Sequence, residues 1–304
     1  MRFAVAGRTE LLLDSAKALL QHGHELTAVF TAPAMPHYLA GETEFEELAQ
    51  SVNVPHRSDG LIGAAELDTV VASGTEVLVS VNWPRRLDDN ILGMFPFGGL
   101  NAHAGDLPRY RGNACLNWAI LNGEPQVAIV VHRMLSQRID DGPILVRRRR
   151  QVSDADDIGD LYAWLRHEVP TMYVEALPLL ADPTMSYLTP GEGPPLRCYP
   201  RTPEDARICW DQSAVDIGRL VRASSRPFDG AFAMLGECRL TIWKAAVASS
   251  PPWGDICAMP GQVVRGPGAQ IGVACGTGVL VLEDYAFGCG QSRLEHSLGG
   301  VRLR

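Results

Sequence analysis

Several absences narrow this chain before any motif is read. No C-x-x-C pair occurs, and the seven cysteines, at positions 115, 198, 209, 238, 257, 275 and 289, are scattered and odd in number. That pattern excludes a disulfide frame or a zinc site and fits small core residues in a reducing cytoplasm. No apolar run reaches membrane-spanning length, so no membrane partner is expected; Met1-Arg2-Phe3-Ala4-Val5-Ala6 is too short for a signal and reads as a buried strand. The first turn, Ala6-Gly7-Arg8-Thr9-Glu10, lacks G-x-G-x-x-G, which leaves dinucleotide binding unsupported. A basic excess is missing too: the net charge of −8 disfavours nucleic acid as the main partner.

What is present suits two domains, since 304 residues with 46% hydrophobic side chains can fill more than one core. Apolar strands at Phe3–Ala6 and Leu26–Thr31 flank Leu11, Leu12, Ala16, Leu19 and Leu20 at helical spacing, a strand-helix-strand unit that implies a parallel sheet. Further strands are expected at Val77–Val81, Phe97–Leu100, Val127–Met134 and Ile144–Val146. Helices are expected at Thr43–Ser51, Asn113–Leu121 and Asp157–Leu180, the last kinked at Pro170. The run Arg147-Arg148-Arg149-Arg150 reads as charge protecting a sheet edge. Residues 181–200 are rich in Pro and Gly and read as a linker. Beyond it, a turn opened by Pro203, a helix at Ala214–Ala223 and short strands near 230–234, 239–246, 262–264, 270–274 and 278–282 suggest a small closed barrel. The expected fold is α/β: a Rossmann-like open, mostly parallel sheet over 1–182, a linker over 183–200, and a small OB-like β-barrel over 201–304.

The chemistry-bearing stretch lies between Gly99 and Leu145. Asn101 and His103 are two residues apart, so an extended chain turns both to one side. After the strand ending near Met134 comes Asp140-Asp141-Gly142, which can bring a carboxylate to that pair. An amide, an imidazole and a carboxylate suffice for acyl or formyl transfer to an amine: one group takes the amine proton and the others stabilise the oxyanion. Neither Ser nor Cys sits inside the Asn-His element, which favours direct transfer over a covalent intermediate.

Asn101-Ala102-His103, Leu107-Pro108, Tyr110-Arg111-Gly112 and Asp140-Asp141-Gly142 together resemble the folate-dependent formyltransferases, which include methionyl-tRNA formyltransferase, glycinamide ribonucleotide formyltransferase and the aminosugar N-formyltransferases. The resemblance continues through Arg201-Thr202-Pro203-Glu204-Asp205, Pro227–Phe232 and Pro260–Val263. It implies Asn101, His103 and Asp140 as the catalytic trio and 10-formyltetrahydrofolate as co-substrate; the expected mechanism has a protonated His103 and the Asn101 amide stabilise the oxyanion while Asp140 takes the amine proton. Trp83, Arg85, Leu87, Ile139 and Asp141 become candidates for the folate pocket, Arg109, Tyr110, Arg111 and Gly112 for the substrate side, and no metal is implied. The family usually places its Asp seven residues after the position of His132, whereas Asp140 is eight away; only Asp140 forms Asp-x-Gly, with Asp141 the rival.

As acceptor the resemblance favours a small-molecule amine, first a nucleotide-linked aminosugar, then an amino acid derivative such as hydroxyornithine. Methionyl-tRNA follows, because the family's basic insertion is replaced by the acidic Ala40–Glu47 and the charges beyond residue 201 nearly balance. Water as acceptor would make the chain a formyltetrahydrofolate hydrolase. A homodimer is compatible with the resemblance.

Overall fold

The computed structural model describes residues 1–188, 193–248, 257–266, 270–288 and 301–304. The chain divides into two units: Met1–Cys115 with Gln126–Gln151 and Tyr162–Cys198, and Leu116–Pro125 with Val152–Leu161 and Tyr199–Arg304.

In chain order the elements up to Cys198 are β1 (Arg2–Gly7), α1 (Glu10–Gln21), β2 (Glu25–Phe30), α2 (Glu42–Ser51), β3 (His56–Arg57), α3 (Ala64–Ala72), β4 (Val77–Val81), α4 (Asp89–Leu92), β5 (Gly99–His103), β6 (Arg111–Gly112), α5 (Cys115–Leu121), β7 (Gln126–Arg133), β8 (Ile144–Gln151), α6 (Ile158–Leu180) and β9 (Arg197–Cys198). Seven strands form one sheet in the order β3-β2-β1-β4-β5-β7-β8. It is parallel from β3 to β5, after which β7 and β8 are antiparallel to their neighbours. Phe3, Ala4, Val5 and Ala6 are buried on both faces of the sheet, which is why β1 is a continuous apolar run and not an alternating one. Each large side chain so buried contributes roughly 1.5–3 kcal/mol. The α6 stripe Leu161, Leu165, Val169, Met172, Ala176 and Leu177 is buried at helical spacing, and the helix runs through both Pro170 and Pro178.

Two local expectations change, and α3 was not among the expected helices. β5 starts at Gly99 and includes Asn101 and His103, because Gly98, with φ +69°, makes the turn in which the strand was expected to begin. The four arginines belong to β8, which extends to Gln151 at the sheet edge, where Arg147 and Arg149 meet Asp106 and Arg148 meets Glu168 and Glu175. α3 buries only Val70 and so gives little periodicity to read.

The second unit carries a 3₁₀ turn (Pro203–Ala206), α7 (Ala214–Ser224), β10 (Ala231–Leu235), β11 (Cys238–Val247), β12 (Val263–Arg265), β13 (Ile271–Ala274) and β14 (Val279–Phe287). Ser213 Oγ caps α7 by accepting from Asp216 N at 3.1 Å, and the helix lays Ile217, Leu220 and Val221 on a core with Trp210, Ile242, Val273 and Leu280. The sheet is wholly antiparallel in the order β10-β11-β14-β13-β12. Its two edges are joined through residues 301–304: Arg304 exchanges backbone hydrogen bonds with Met234 of β10, while Val263 N donates to Val301 O. This closure gives the OB-like barrel its form.

Among the described cysteines, 115, 198 and 275 are buried and free, but Cys209 and Cys257 are exposed and Cys238 is disulfide-bonded. The reading of all seven as unbridged core residues is corrected at those three positions; Cys238, at the partly buried start of β11, packs against the barrel core. Cys289 lies outside the described residues. Among the described residues, no helix is long and apolar enough to cross a membrane.

Candidate active site

The site grows from one pair of strands. Asn101 and His103 alternate to the same face of β5, and β7, running antiparallel, sets His132 directly opposite Asn101. Asn101 Nδ2 lies 3.4 Å from His132 Nε2. His103 and His132 are buried, at 7% and 2% exposure.

Asp140 reaches this pair by a loop that doubles back after β7. Arg133 N donates to Pro143 O at 2.9 Å, and the backbones approach so closely that a Cβ on Gly142 would lie 1.8 Å from Arg133 O. The glycine of Asp-x-Gly is therefore a steric requirement. Gly142→Ala is expected to lower unfolding stability by roughly 1–3 kcal/mol, the usual scale for overpacking, and to loosen Asp140. Chemical denaturation combined with turnover checks both effects.

Asp140 adopts φ +51°, a left-handed conformation that Asp tolerates better than most residues. Its Oδ2 accepts from Gly112 N at 2.8 Å and stands 3.4 Å from His103 Nδ1, while Oδ1 stands 3.6 Å from His132 Nε2. Gly112 is held by β6, paired in parallel with β9; its φ is +99°, and a Cβ there would lie 2.5 Å from Cys198 O.

His103 Nε2 donates to Tyr110 O at 2.7 Å, because a carbonyl can only accept. Gly105 makes this contact possible: a Cβ there would lie 2.2 Å from Tyr110 O and 2.6 Å from His103 Nε2. In the neutral ring the proton is thus on Nε2, and the Nδ1 lone pair faces Asp140. Burial pushes the His103 pKa down, more than the Asp140 charge pushes it up. The 3.4 Å spacing to Asp140 exceeds that of a charge-assisted hydrogen bond. Burial works against ionising Asp140, but the two histidines and the Gly112 amide outweigh it and hold the carboxylate ionised, well below the usual range.

The other candidates separate by surroundings. Asp141 is paired with Arg111 and, at 3.1 Å, with Arg138, so the adjacent carboxylates have different partners and only Asp140 faces the imidazoles. Tyr110 is buried and offers the site its carbonyl, and Gly112 offers its N–H. Arg109 lies over the Tyr110 ring at 5.4 Å. Leu87 is buried in a cluster with Leu78, Leu92 and Phe95, against which Trp83, Ile62, Ile91 and Met134 are partly buried. Trp83 Nε1 is buried with no hydrogen-bond partner, whereas Arg85 and Ile139 are exposed. Sequence reasoning missed His132 and Gly105. For His132, the placement comes from the antiparallel pairing of the two motif strands, which sets it beside Asn101 and which an apolar strand does not announce in its sequence.

The fold agrees with the comparisons. Residues 1–177 match the formyl transferase family model and residues 201–293 match the formyl transferase C-terminal domain. The chain belongs to the formyl transferase family. Among solved structures it is similar to the N-formyltransferase of Helicobacter canadensis in complex with folinic acid and dTDP-3-aminofucose, at 14% identity and TM-score 0.68 over 93% of this chain and 99% of that one. The sugar 3-N-formyltransferase WlaRD, in the presence of dTDP and 5-N-formyl-THF, is similar at 14% identity and TM-score 0.68 over 93% and 97%. HypX from Aquifex aeolicus in complex with tetrahydrofolic acid gives 15% identity and TM-score 0.63 over 93% of this chain and 43% of that one.

Proposed function

We propose that this chain transfers a formyl group from 10-formyltetrahydrofolate to the amine of a nucleotide-linked aminosugar, with Asn101, His103 and Asp140 as the catalytic groups. The observation that carries this reading is the Asp140 carboxylate standing 3.4 Å from His103 Nδ1, close to the Asn101 amide. The chemistry is assigned to residues 1–182, with 183–200 as linker to a C-terminal domain over 201–304.

The folate suits the apolar wall around Trp83, where the unpartnered indole N–H awaits an acceptor such as a pterin offers. As the amine attacks the formyl carbon, an Asn101 N–H stabilises the oxygen that takes the carbonyl electron pair. The His103–Asp140 pair receives the amine proton, which is held between Nδ1 and Oδ2. His103 then releases that proton to the folate nitrogen as its bond to the formyl carbon breaks.

The aminosugar reading draws on the likeness in layout to the two sugar N-formyltransferases over nearly their whole length. The acidic face of α2, with Glu42, Glu44, Glu46 and Glu47, disfavours a tRNA acceptor. Incubation with formyl-folate and a panel of nucleotide aminosugars, hydroxylated amino acid derivatives and charged tRNA, followed by product masses, tests it. An added formyl on a nucleotide aminosugar is expected. A formyl on tRNA, or formate formed without any amine, contradicts it.

A further inference from the structure

We propose that His132 is a positioning residue that orients the Asn101 carboxamide. This role of His132 rests on the catalytic reading of Asn101 given above.

His132 is 2% exposed, and its two ring nitrogens face different tasks. Nδ1 must donate to Arg133 O, at 2.8 Å, since that carbonyl offers only lone pairs. In the neutral ring this leaves Nε2 as an acceptor. Its neighbours are Asn101 Nδ2 at 3.4 Å and Asp140 Oδ1 at 3.6 Å, and only the amide can donate. The ring chemistry therefore selects which edge of Asn101 turns toward it: the NH₂ edge. One N–H of that group is spent on His132, and the second is presented to the developing oxyanion. A side chain without an acceptor would leave the amide able to rotate by half a turn and offer its oxygen to an oxyanion, which repels it. Histidine's place here is not explained by space filling, because an apolar residue would occupy the same interior without the cost of burying a polar ring.

The scaffold holds His132 as firmly as its neighbours. Gly142 allows the returning loop to lie against Arg133 O, the carbonyl that fixes the tautomer; a Cβ on Gly142 would also come within 3.4 Å of His132 Nδ1. One glycine thus serves both the approach of Asp140 and the orientation of His132.

The test is a double-mutant cycle on formyl transfer, with folate binding followed by fluorescence. His132→Leu is expected to reduce kcat by about ten- to a hundredfold, the scale of a misplaced catalytic group, with the folate Kd unchanged within about threefold. His132→Gln, whose carbonyl can accept from Asn101, is expected to recover most of the loss. In an Asn101→Ala background, His132→Leu is expected to add less than a twofold loss, because the group it orients is gone. A wild-type kcat in His132→Leu, an equal loss in the Gln and Leu variants, or a full additional loss on top of Asn101→Ala overturns the proposal. Wild-type turnover in Asn101→Ala alone instead sinks the catalytic reading of Asn101. Should His132→Leu fail to bind folate, the comparison of His132→Gln with His132→Asn decides. The shorter amide falls short of Asn101 and is expected to be the slower; equal rates overturn the proposal.

Discussion

Asp140→Asn is expected to lower kcat by about 10²–10⁴-fold, the range for loss of an acid–base group, while formyl-folate binds within about threefold of wild type. The substitution preserves shape, and its amide oxygen can still accept from Gly112 N, which now lies 2.8 Å from Oδ2. What it removes is the charge. The proton that passes to His103 Nδ1 during attack would then sit on a buried imidazolium with no anion beside it. Burial already disfavours that species, and Asp140 is the group that counters it. The neighbouring Asp141 provides the internal control. Its carboxylate, 19% exposed, is taken up by Arg111 and Arg138. Asp141→Asn is expected to retain turnover within about tenfold, since an ion pair at that exposure is worth about 1 kcal/mol. Steady-state assays of both variants, with folate affinity measured separately, check the pair.

Asn101→Ala is expected to reduce kcat by about 10²–10³-fold with little change in KM, the signature of losing one oxyanion donor. The effect belongs in kcat because the amide N–H gains most when charge has moved onto the formyl oxygen. Asn101→Asp should be slower than Ala: a second carboxylate would face Asp140 and the developing oxyanion. A KM increase at unchanged kcat would mean instead that Asn101 only holds the ground state. Full kinetics for the two variants make that distinction.

Much of this was legible in the sequence for identifiable reasons. β1, β2 and β4 are buried on both faces, so their apolar runs stand out, and α1 repeats its leucines at helical spacing against β2. Asn101 and His103 were readable as neighbours because alternation along a strand needs no knowledge of topology. The reversal of β7 was not readable, since an apolar strand carries no sign of direction, and with it went the placement of His132 opposite Asn101. Gly105 and Gly142 were visible as letters, but their necessity comes from carbonyls of Tyr110 and Arg133 that approach from other segments. The depth at which His103 is buried was not legible for a similar reason. An adjacent Asp predicts a raised pKa, and only the depth of burial reverses the sign.

The most direct measurement is a single turnover with formyl-labelled 10-formyltetrahydrofolate bound to Asp140→Asn and the acceptor amine in excess. With wild-type enzyme the label moves to the amine; with the variant it is expected to stay on the folate over the same interval, although the complex forms normally. Transfer by the variant at the wild-type rate would show that the carboxylate between the two imidazoles does not serve the reaction.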